Sequence, residues 1–260
     1  MTTHLALTDR LHQLQLTAMA EAWAQQQRDP DTLILDFDDR FALLVEAEWA
    51  DRQNRYIARR LREAHLRLPA APEDLDWHTP RQIPKPLVQT LLRAQWVEAH
   101  QTVLVTGPTG VGKTFLLCAL GTAACRQRQR VRYYRLPRLL GESSVAKQEG
   151  RWLPWLRQVS RWDLLLLDDW GFSALTAEES QDLFEILDDR YQQRATAIAS
   201  QVPVDQWHAL LPDATTGEAI LDRLVHQAHR IPLRGDSMRK ILSPSGGPGI
   251  TEAAADPVQA

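Results

Sequence analysis

Apolar residues recur at helical spacing in two runs near the N-terminus. The first run contains Leu7, Leu11, Leu14, Ala18 and Ala22. The second run follows a break at Asp29-Pro30-Asp31 and contains Phe41, Leu44, Val45 and Trp49. Each run places its apolar side chains on one face of a helix, and the proline separates the two. The pattern predicts two amphipathic helices in a small all-α domain over residues 1–68.

From residue 87 onward, short apolar runs alternate with helical patterns. The runs predicted as strands are QTVLVT at 101–106, VRYYRL at 131–136, the leucines at 164–167 and TAIAS at 196–200. Helices are predicted between them, including one over 178–192 and one over 217–229 that a capping box of Thr215 and Glu218 would open. Strands that alternate with helices pair in parallel. Residues 87–242 are therefore predicted to form an α/β domain around a parallel sheet.

Two further segments show neither the helical spacing nor the apolar runs that predict strands. Residues 69–86 carry the repeated prolines of PAAPEDLDWHTPRQIPKP, which predict either a linker or a strap across the α/β domain. The C-terminal segment 243–260, SPSGGPGITEAAADPVQA, is rich in proline, glycine and alanine, and this composition predicts disorder.

The stretch GPTGVGKT stands between a predicted strand and a predicted helix. It meets the spacing G-x-x-x-x-G-K-[ST], in which glycines let the backbone curl around an anion and loop N–H groups point at the β-phosphate. Lys113 would reach the β- and γ-phosphates, and the Thr114 hydroxyl would bind Mg²⁺. The predicted ATP-binding residues of this P-loop are Gly107, Pro108, Thr109, Gly110, Val111, Gly112, Lys113, Thr114 and Phe115.

Two aspartates follow the leucine run, about fifty residues after the P-loop. Four consecutive leucines favour a strand that is buried on both faces of a parallel sheet. At the end of such a strand, Asp168 would hold Mg²⁺, and Asp169 would orient and polarise the attacking water. The spacing leaves room for one helix and one strand between the two motifs, so the sequence predicts an ATP- and Mg²⁺-dependent hydrolytic site.

Composition and charge limit which ligands, metals and cellular locations are expected for this protein. The net charge of the 260 residues is −3, so nucleic-acid binding would have to come from local basic patches. Cys118 and Cys125 match no zinc-ligand spacing, which predicts packed, reduced thiols. The sequence shows neither a run of 18 apolar residues nor a secretory signal pattern, so a cytoplasmic protein without a membrane partner is expected.

Two basic segments are candidates for contact with DNA. One is a stripe on a single helical face, made of Arg52, Arg55, Arg59 and Arg62. The other interleaves three tryptophans with arginines in GRWLPWLRQVSRWD, and its candidate DNA contacts are Arg151, Arg157 and Arg161. The alternatives are a solvated basic face for the stripe and a core position for Trp152, Trp155 and Trp162.

The sequence resembles the IstB-like ATPases that assist the transposase of an insertion sequence, relatives of the DnaC-type helicase loaders and DnaA-type initiators in the AAA+ class. The resemblance rests on GPTGVGKT, LLLLDDWG, TAIASQVPVDQWH, AILDRLVHQAHRIPL and GDSMRK, and on the N-terminal QLTAMAEAW and LLVEAEWADRQNRYIARRLREAHLRL. It implies a P-loop NTPase domain and an ATP-dependent homo-oligomer that binds double-stranded DNA and acts with a transposase.

The resemblance also implies roles for residues outside the two phosphate motifs. Sensor 1 would be Ser200 and Gln201, Arg223 would be an arginine finger acting on a neighbouring subunit, and Arg239 would be sensor 2. The chain departs from the wider class at Asp169, where glutamate is commoner, and at Gln201, where asparagine is usual. The shorter carboxylate of Asp169 predicts slow turnover.

Three functions are compatible with these features. A transposition regulator would close an oligomer around duplex DNA when it binds ATP. A replicative helicase loader would hold a ring helicase and prefer single-stranded DNA. A small-molecule kinase would need an arginine-rich acceptor lid and a catalytic base, and the sequence shows neither. The resemblance favours the transposition regulator.

Overall fold

The computed structural model describes residues 2–226 and 228–238. Within these residues five strands form one sheet in the order β2-β3-β4-β1-β5, and every neighbouring pair is parallel. The strands are β1 (Thr102–Thr106), β2 (Val131–Arg135), β3 (Leu164–Trp170), β4 (Ala195–Ser200) and β5 (His229–Pro232). The predicted parallel α/β fold is confirmed.

Helices precede this sheet and connect its strands. Those before β1 are α1 (Thr2–Gln13), α2 (Thr17–Gln26), α3 (Pro30–Leu33), α4 (Phe37–Ala64), α5 (Lys85–Leu91) and α6 (Gln95–Glu98). Those after it are α7 (Lys113–Arg126), α8 (Leu136–Gln148), α9 (Trp152–Ser160), α10 (Ala177–Arg190) and α11 (Ala214–Val225), with short 3-10 helices at Pro72–Asp74 and Val204–Leu210. Among the described residues, no helix is both long and apolar enough to span a membrane.

The leucine strand β3 is buried on both faces of the sheet. Leu164 and Leu166 join the cluster that α5, α6 and α7 form on one face, while Leu165 and Leu167 join the cluster of α8, α10 and α11 on the other. All four side chains are 0% exposed. A strand with both faces covered needs no polar side, which explains its unbroken apolar run.

Helix α7 carries both cysteines as buried thiols that form no disulfide. Burial raises the pKa of Cys125 to about 12 and also raises the pKa of Cys118. Both groups therefore remain protonated at neutral pH. The prediction of packed, reduced thiols is confirmed.

The start of α11 differs from the sequence prediction. The helix begins at Ala214, three residues before the predicted start, because the carboxylate of Asp213 accepts a hydrogen bond from the backbone N–H of Thr216 (2.6 Å). The predicted capping box of Thr215 and Glu218 is wrong. An aspartate in extended conformation satisfies the free N–H groups of the first turn as well as a threonine does.

The predicted helix over 217–229 also overruns its end. The helix ends at Val225, and His229–Pro232 forms β5 along β1. This strand lies at an edge of the sheet and buries only Ile231. A four-residue strand with one buried side chain leaves almost no periodic signal, which is why the apolar pattern missed it.

The first predicted helix is in fact two helices. α1 ends at Gln13 and α2 begins at Thr17, because Gln15 between them has a left-handed backbone (φ 59°). Apolar spacing continues through this turn, so the spacing alone could not reveal it.

The second predicted helix is confirmed as α4, but its expected apolar face is mostly exposed. Leu44 is 7% exposed, whereas Phe41, Val45 and Trp49 are between 44% and 56% exposed. α2 covers the side of α4 that carries Leu44, and Glu48 on that side accepts a hydrogen bond from the backbone N–H of Met19 (3.3 Å). The helical region therefore buries only one side of α4.

The segment 69–86 packs along the α/β core. Ala70 and Leu75 are buried in the same cluster as α7, and the Thr122 hydroxyl donates to the carbonyl of Ala70 (2.7 Å). The end of α4 reaches this cluster too, through Ala64, which is 0% exposed. Of the two alternatives for the segment, these contacts favour a strap across the α/β domain.

Arg190 lies beside the start of β4, at the end of the sheet opposite the P-loop, and hydrogen-bonds the backbone there. It is 1% exposed, contacts Thr196 Oγ1 (3.3 Å), and donates to the carbonyls of Val159 (3.3 Å), Trp162 (2.9 Å) and Ala195. Burial lowers the pKa of Arg190 to about 9. The guanidinium thus supplies hydrogen bonds to carbonyls that water cannot reach, against an opposing cost of desolvation.

We expect Arg190→Met to lower the free energy of unfolding by about 2 kcal/mol, since each buried carbonyl that loses its partner costs about 1–3 kcal/mol and removal of a buried charge offsets part of this. Chemical denaturation would measure it. Arg194→Met is the matched control: its side chain is 38% exposed and lies 3.9 Å from Asp163, so the change should stay within about 0.5 kcal/mol. Equal losses in the two variants would contradict a special role for Arg190.

Candidate nucleotide-binding site

The sheet order brings the candidate catalytic residues to one edge. Parallel strands end at the same side of a sheet, and β4 lies between β1 and β3. The P-loop follows β1, the two aspartates end β3, and Ser200 ends β4 opposite Thr106. The sheet therefore gathers residues that are far apart in the sequence at its carboxyl edge.

The P-loop has the backbone that the motif requires. Gly110 and Gly112 have positive φ angles of 86° and 103°, which glycine adopts without a steric penalty. The chain after β5 closes over this loop, because the N–H of Leu233 donates to the carbonyl of Thr106 (2.7 Å) and the N–H of Met238 donates to that of Gly110 (3.0 Å). The loop is thus held from its outer side.

Lys113 and Thr114 open α7 directly after the loop. Lys113 is 8% exposed, and its ammonium donates to the carbonyls of Gly107 and Pro108, each at 2.8 Å. The Thr114 hydroxyl donates to Oδ2 of Asp168 (2.7 Å). A buried ammonium beside a hydroxyl–carboxylate pair offers the charge and the oxygen ligands that fit ATP with Mg²⁺.

Asp168 is fixed from a second side by Tyr133, which the sequence analysis missed. The Tyr133 hydroxyl donates to Asp168 Oδ2 (2.8 Å), and burial raises the pKa of this phenol, so it remains a donor. Asp168 Oδ1 accepts from the backbone N–H of Asp169 (2.9 Å). Asp168 is 2% exposed, and these bonds orient its carboxylate towards Thr114.

Asp169 lies in an irregularity of β3. The pairing with β4 shifts between Leu167 and Trp170, and Asp169 has a left-handed backbone (φ 61°). Its carboxylate is 17% exposed and contacts two arginines: Nε of Arg135 hydrogen-bonds Oδ2, and Nη1 of Arg67 lies 3.6 Å from the same oxygen. The bulge turns this side chain away from the path of the strand.

Arg135 and Arg67 were also absent from the sequence prediction. Arg135 ends β2, next to β3, so the rule that parallel strands end together could have found it. Arg67 follows α4 and belongs to no sequence motif that would mark it. Interaction with the Tyr133 hydroxyl raises the pKa of Arg67, whose guanidinium lies 3.8 Å from Asp168 Oδ2.

The two predicted sensor 1 residues have different surroundings. Ser200 is 1% exposed, donates to the carbonyl of Trp170 (2.8 Å) and accepts from the N–H of Val202 (3.0 Å). Gln201 is exposed, and its Oε1 accepts from the Thr109 hydroxyl in the P-loop (2.7 Å). Gln201 is therefore the one in direct contact with the loop, whereas Ser200 joins the ends of β3 and β4.

A buried arginine from the strap lies against the P-loop and was not foreseen. Arg81 is 4% exposed, and its Nη1 lies 3.4 Å from the carbonyl of Val111, while its Nη2 donates to the carbonyl of Asp76. A Cβ at Gly112 would come within 2.7 Å of Arg81 Nη1. The strap thus places a positive charge beside the last glycine of the motif, which makes Arg81 a further candidate for nucleotide contact.

Arg223 lies on α11 and is engaged within its own subunit. Its Nε donates to Asp188 (2.6 Å), its Nη1 donates to the carbonyl of Ala219 (2.9 Å), and the guanidinium stands 4.7 Å from the ring centre of Phe184. The side chain is 24% exposed. The finger role implied for Arg223 stays a prediction.

The remaining predicted site residues lie at the periphery. Phe115 is half-buried and packs against the core cluster of α7. Arg239 lies outside the described residues. The stripe residues Arg52, Arg55 and Arg59 are 54–56% exposed and paired with acids of their own helix, and Arg62 is exposed. On and around α9, Trp152 and Trp155 stack at 5.3 Å against the core, while Arg151, Arg157 and Arg161 are exposed.

Comparisons with known proteins agree with this geometry. Residues 9–244 match the family described as IstB-like ATP binding protein. A protein of Sinorhizobium fredii that is named as an insertion sequence ATP-binding protein, y4pL, is 43% identical over 232 residues, which are 89% of this chain and 95% of that protein.

Two solved structures share the fold. The crystal structure of DnaI has a TM-score of 0.55 at 20% identity, covering 64% of this chain and 91% of its own. AMPPCP-bound DnaA from Aquifex aeolicus has a TM-score of 0.55 at 21% identity, covering 68% of this chain and 54% of its own. At such identities the likeness concerns the fold alone, and the predicted parallel-sheet P-loop fold is confirmed. The family match extends over most of the chain, and this protein belongs to the IstB-like ATP-binding family.

Proposed function

We propose that this protein is an ATP-dependent, DNA-binding AAA+ ATPase that oligomerises on DNA and recruits or activates the transposase of an insertion sequence. The observation that carries the proposal is the pair of Thr114 and Asp168 (2.7 Å) beside the buried ammonium of Lys113, in a chain of the IstB-like family. A relative named as an insertion sequence ATP-binding protein is 43% identical over 89% of the chain, whereas the crystal structure of the DnaC helicase loader is only 18% identical and shares the fold alone. This difference favours a transposition helper over a helicase loader.

The residues of the P-loop would bind ATP and Mg²⁺. Lys113 would exchange its two carbonyl contacts for phosphate oxygens, which accept hydrogen bonds more strongly because they are charged. Thr114 and Asp168 would both serve as oxygen ligands for Mg²⁺, directly or through water. The bound metal supplies positive charge that offsets the charge developing on the transferred phosphoryl group.

Asp169 would orient the attacking water and take up its proton. In the structure Arg135 and Arg67 both contact Oδ2, so they occupy one of the two carboxylate oxygens and hold the side chain in place. Loosening of these contacts would free Oδ2 and let the carboxylate turn towards the water, which would favour hydrolysis. Gln201, whose side chain hydrogen-bonds Thr109 of the loop, would respond to the γ-phosphate.

Oligomerisation would complete the site. An arginine from a neighbouring subunit can stabilise the transition state only while the two subunits are docked, so hydrolysis would depend on assembly. Arg223 would supply this charge after giving up its pair with Asp188, which is 50% exposed and therefore weakly bound.

We expect Lys113→Ala to abolish nucleotide binding, because the phosphates would lose their only partner charge within the motif. Millimolar ATP with Mg²⁺ should raise the melting temperature of the native protein but not of the variant, since only a ligand that binds the folded state stabilises it. ATP-dependent stimulation of transposase should disappear as well. The control is Lys85→Ala, at an exposed lysine outside the loop. ATP with Mg²⁺ should raise its melting temperature as much as that of the native protein. Equal shifts in all three proteins would contradict the assignment.

For the finger role, we expect Arg223→Ala to bind ATP normally but to lose the rise of specific activity with protein concentration and with added DNA. Mixing Arg223→Ala with Lys113→Ala subunits should restore hydrolysis, because the first keeps an intact P-loop and the second can lend an arginine. A steady-state ATPase assay across mixing ratios measures this. A mixture no more active than either variant alone would speak against a finger acting between subunits.

Asp188→Asn is the control that separates this role from a structural one. It weakens the tie between α10 and α11 and leaves Arg223 in place. If Arg223 only joins these helices, Asp188→Asn should lose hydrolysis as Arg223→Ala does. If Arg223 acts on a neighbour, Asp188→Asn should retain it.

For the arginine stripe, we expect Arg55→Ala/Arg59→Ala to weaken binding to duplex DNA without regard to its sequence. Each lost phosphate contact should flatten the slope of log K against log salt by about 0.9, hence about 1.8 for two. Both arginines now pair with acids of α4 and would have to exchange them for phosphates. A salt titration with a short labelled duplex, ATP and Mg²⁺ measures the slope.

The matched control for the stripe is Arg10→Ala/Arg28→Ala, which removes the same charge from exposed positions of the helical region away from the stripe. Its slope should equal that of the native protein. If the stripe variant also keeps the native slope but stimulates the transposase less, the stripe contacts the partner protein and not DNA.

A further inference from the structure

A strongly basic cleft opens beside the hydrolytic carboxylates, between the end of α4 and the carboxyl end of β2. We call it the arginine cleft. Its volume is about 320 Å³, and its basic lining residues are His65, Arg67, Arg132, Arg135 and Arg138. Within the part of the chain that the structure describes, the other lining residues are Tyr133 and Tyr134, and no acidic side chain lines the cleft. A cleft with this lining favours an anionic ligand.

Several donors in the arginine cleft are only partly satisfied by the protein. Arg132 donates through Nη1 to the carbonyl of Glu63 (3.1 Å), and its buried Nε has no hydrogen-bond partner among the described residues. Arg138 is paired with Glu142 at 3.3 Å, but its side chain is 78% exposed. Such guanidinium groups match the paired oxygens of a phosphate, which can accept two parallel hydrogen bonds.

The start of α8 adds to the positive potential of the cleft. The helix begins at Leu136, directly after Arg135, and Arg135 provides no side-chain cap for its first N–H groups. The first turn of a helix with uncapped N–H groups favours a nearby anion. The charge of the arginines and the helix end therefore act in the same direction.

The position of the cleft favours a phosphate of a DNA backbone over a small free anion. His65 and Arg67 follow directly on α4, whose last turns carry Arg59 and Arg62 of the stripe. The stripe therefore leads along α4 towards the cleft, and an extended polyanion could contact both at once. Arg132 also stands 5.8 Å from the ring of Trp162, beside the basic segment around α9.

We propose that the arginine cleft binds a backbone phosphate of DNA, and that Arg67 transmits this binding to the hydrolytic carboxylate Asp169. The proposal rests on the function proposed above. Arg67 is the lining residue from the helical region that also contacts Asp169 (3.6 Å) and Asp168 (3.8 Å). A phosphate in the cleft competes with Asp169 for Arg67, and also for Arg135, which lines the cleft and contacts the same carboxylate oxygen. The carboxylate that loses these contacts can then hold water. DNA bound next to the end of α4 would in this way stimulate hydrolysis.

The binding part of the proposal is tested with Arg132→Ala/Arg138→Ala and, as a milder change, Arg138→Ala alone. In a salt titration with a labelled duplex, the slope of log K against log salt should flatten by about 0.9 for the double variant, which loses the one phosphate contact, and by less for Arg138→Ala alone. Arg10→Ala/Arg28→Ala should keep the native slope. Native DNA binding with no change in either cleft variant would overturn the proposal but leave the proposed function intact. A native protein that does not bind DNA would overturn both.

The transmission part is tested with Arg67→Ala in ATPase assays with and without duplex. The rate without DNA should rise several-fold, and the ratio of the rates with and without DNA should fall towards one. A purely structural role would lower both rates and keep their ratio. Arg67→Lys, which keeps the charge, should restore part of the DNA dependence. An unchanged ratio in Arg67→Ala would refute the transmission.

The source of the phosphate is distinguished with inorganic phosphate. In the native protein at constant ionic strength, about 10 mM phosphate, which would fill a site with a Kd of about 1 mM or lower, should neither displace the duplex nor stimulate hydrolysis. If inorganic phosphate stimulates hydrolysis as strongly as DNA does, and Arg138→Ala abolishes this effect without changing the salt slope for DNA, the cleft binds a small anion and the DNA proposal is wrong.

Discussion

The parallel pairing of β1, β3 and β4 is the constraint on which the rest of the structure depends. It brings the P-loop, the two aspartates and the end of β4 to one edge, although about ninety residues separate Thr106 from Ser200 in the sequence. Parallel strands require helical crossovers on both faces, and these crossovers bury the strands completely. The unbroken leucine run and the clustering of the site therefore have the same cause.

Within that frame, hydrogen bonds to Asp168 fix the centre of the candidate site. Thr114 reaches it from the P-loop helix, Tyr133 from the neighbouring strand and the Asp169 N–H from its own strand. A carboxylate held in this way is already oriented before any ligand arrives, so little reorganisation would accompany metal binding. The Asp169 carboxylate, in contrast, is held by the charged ends of two long side chains, Arg135 and Arg67. The two adjacent acids thus differ in how firmly they are held.

The sequence predicted the parts of the fold and site that depend on local patterns. The strands, the P-loop and the aspartates follow from apolar runs and fixed spacings, and their neighbourhood follows from parallel pairing. The turn at Gln15 and the edge strand around Ile231 were not predicted. One left-handed residue does not interrupt the apolar spacing, and a strand with one buried side chain has no repeat to recognise. Arg67 and Arg81 escaped for another reason. They act through distant contacts, and a sequence shows such contacts only where a motif or a strand end marks them.

The length of α4 has a mechanical consequence. A helix of 28 residues is about 42 Å long, and it is stiff over this length. Its second half is docked against the α/β domain, because Gln53 and Tyr56 hydrogen-bond Arg128 and Ala64 is buried in the core. The other end carries the exposed aromatic side chains of Phe37 and Phe41. A tilt of about 5° at Gln53 would sweep the start of the helix, about 24 Å away, through about 2 Å. A displacement too small to disturb the core is thus enlarged by leverage into a movement that a protein bound at the far end would sense.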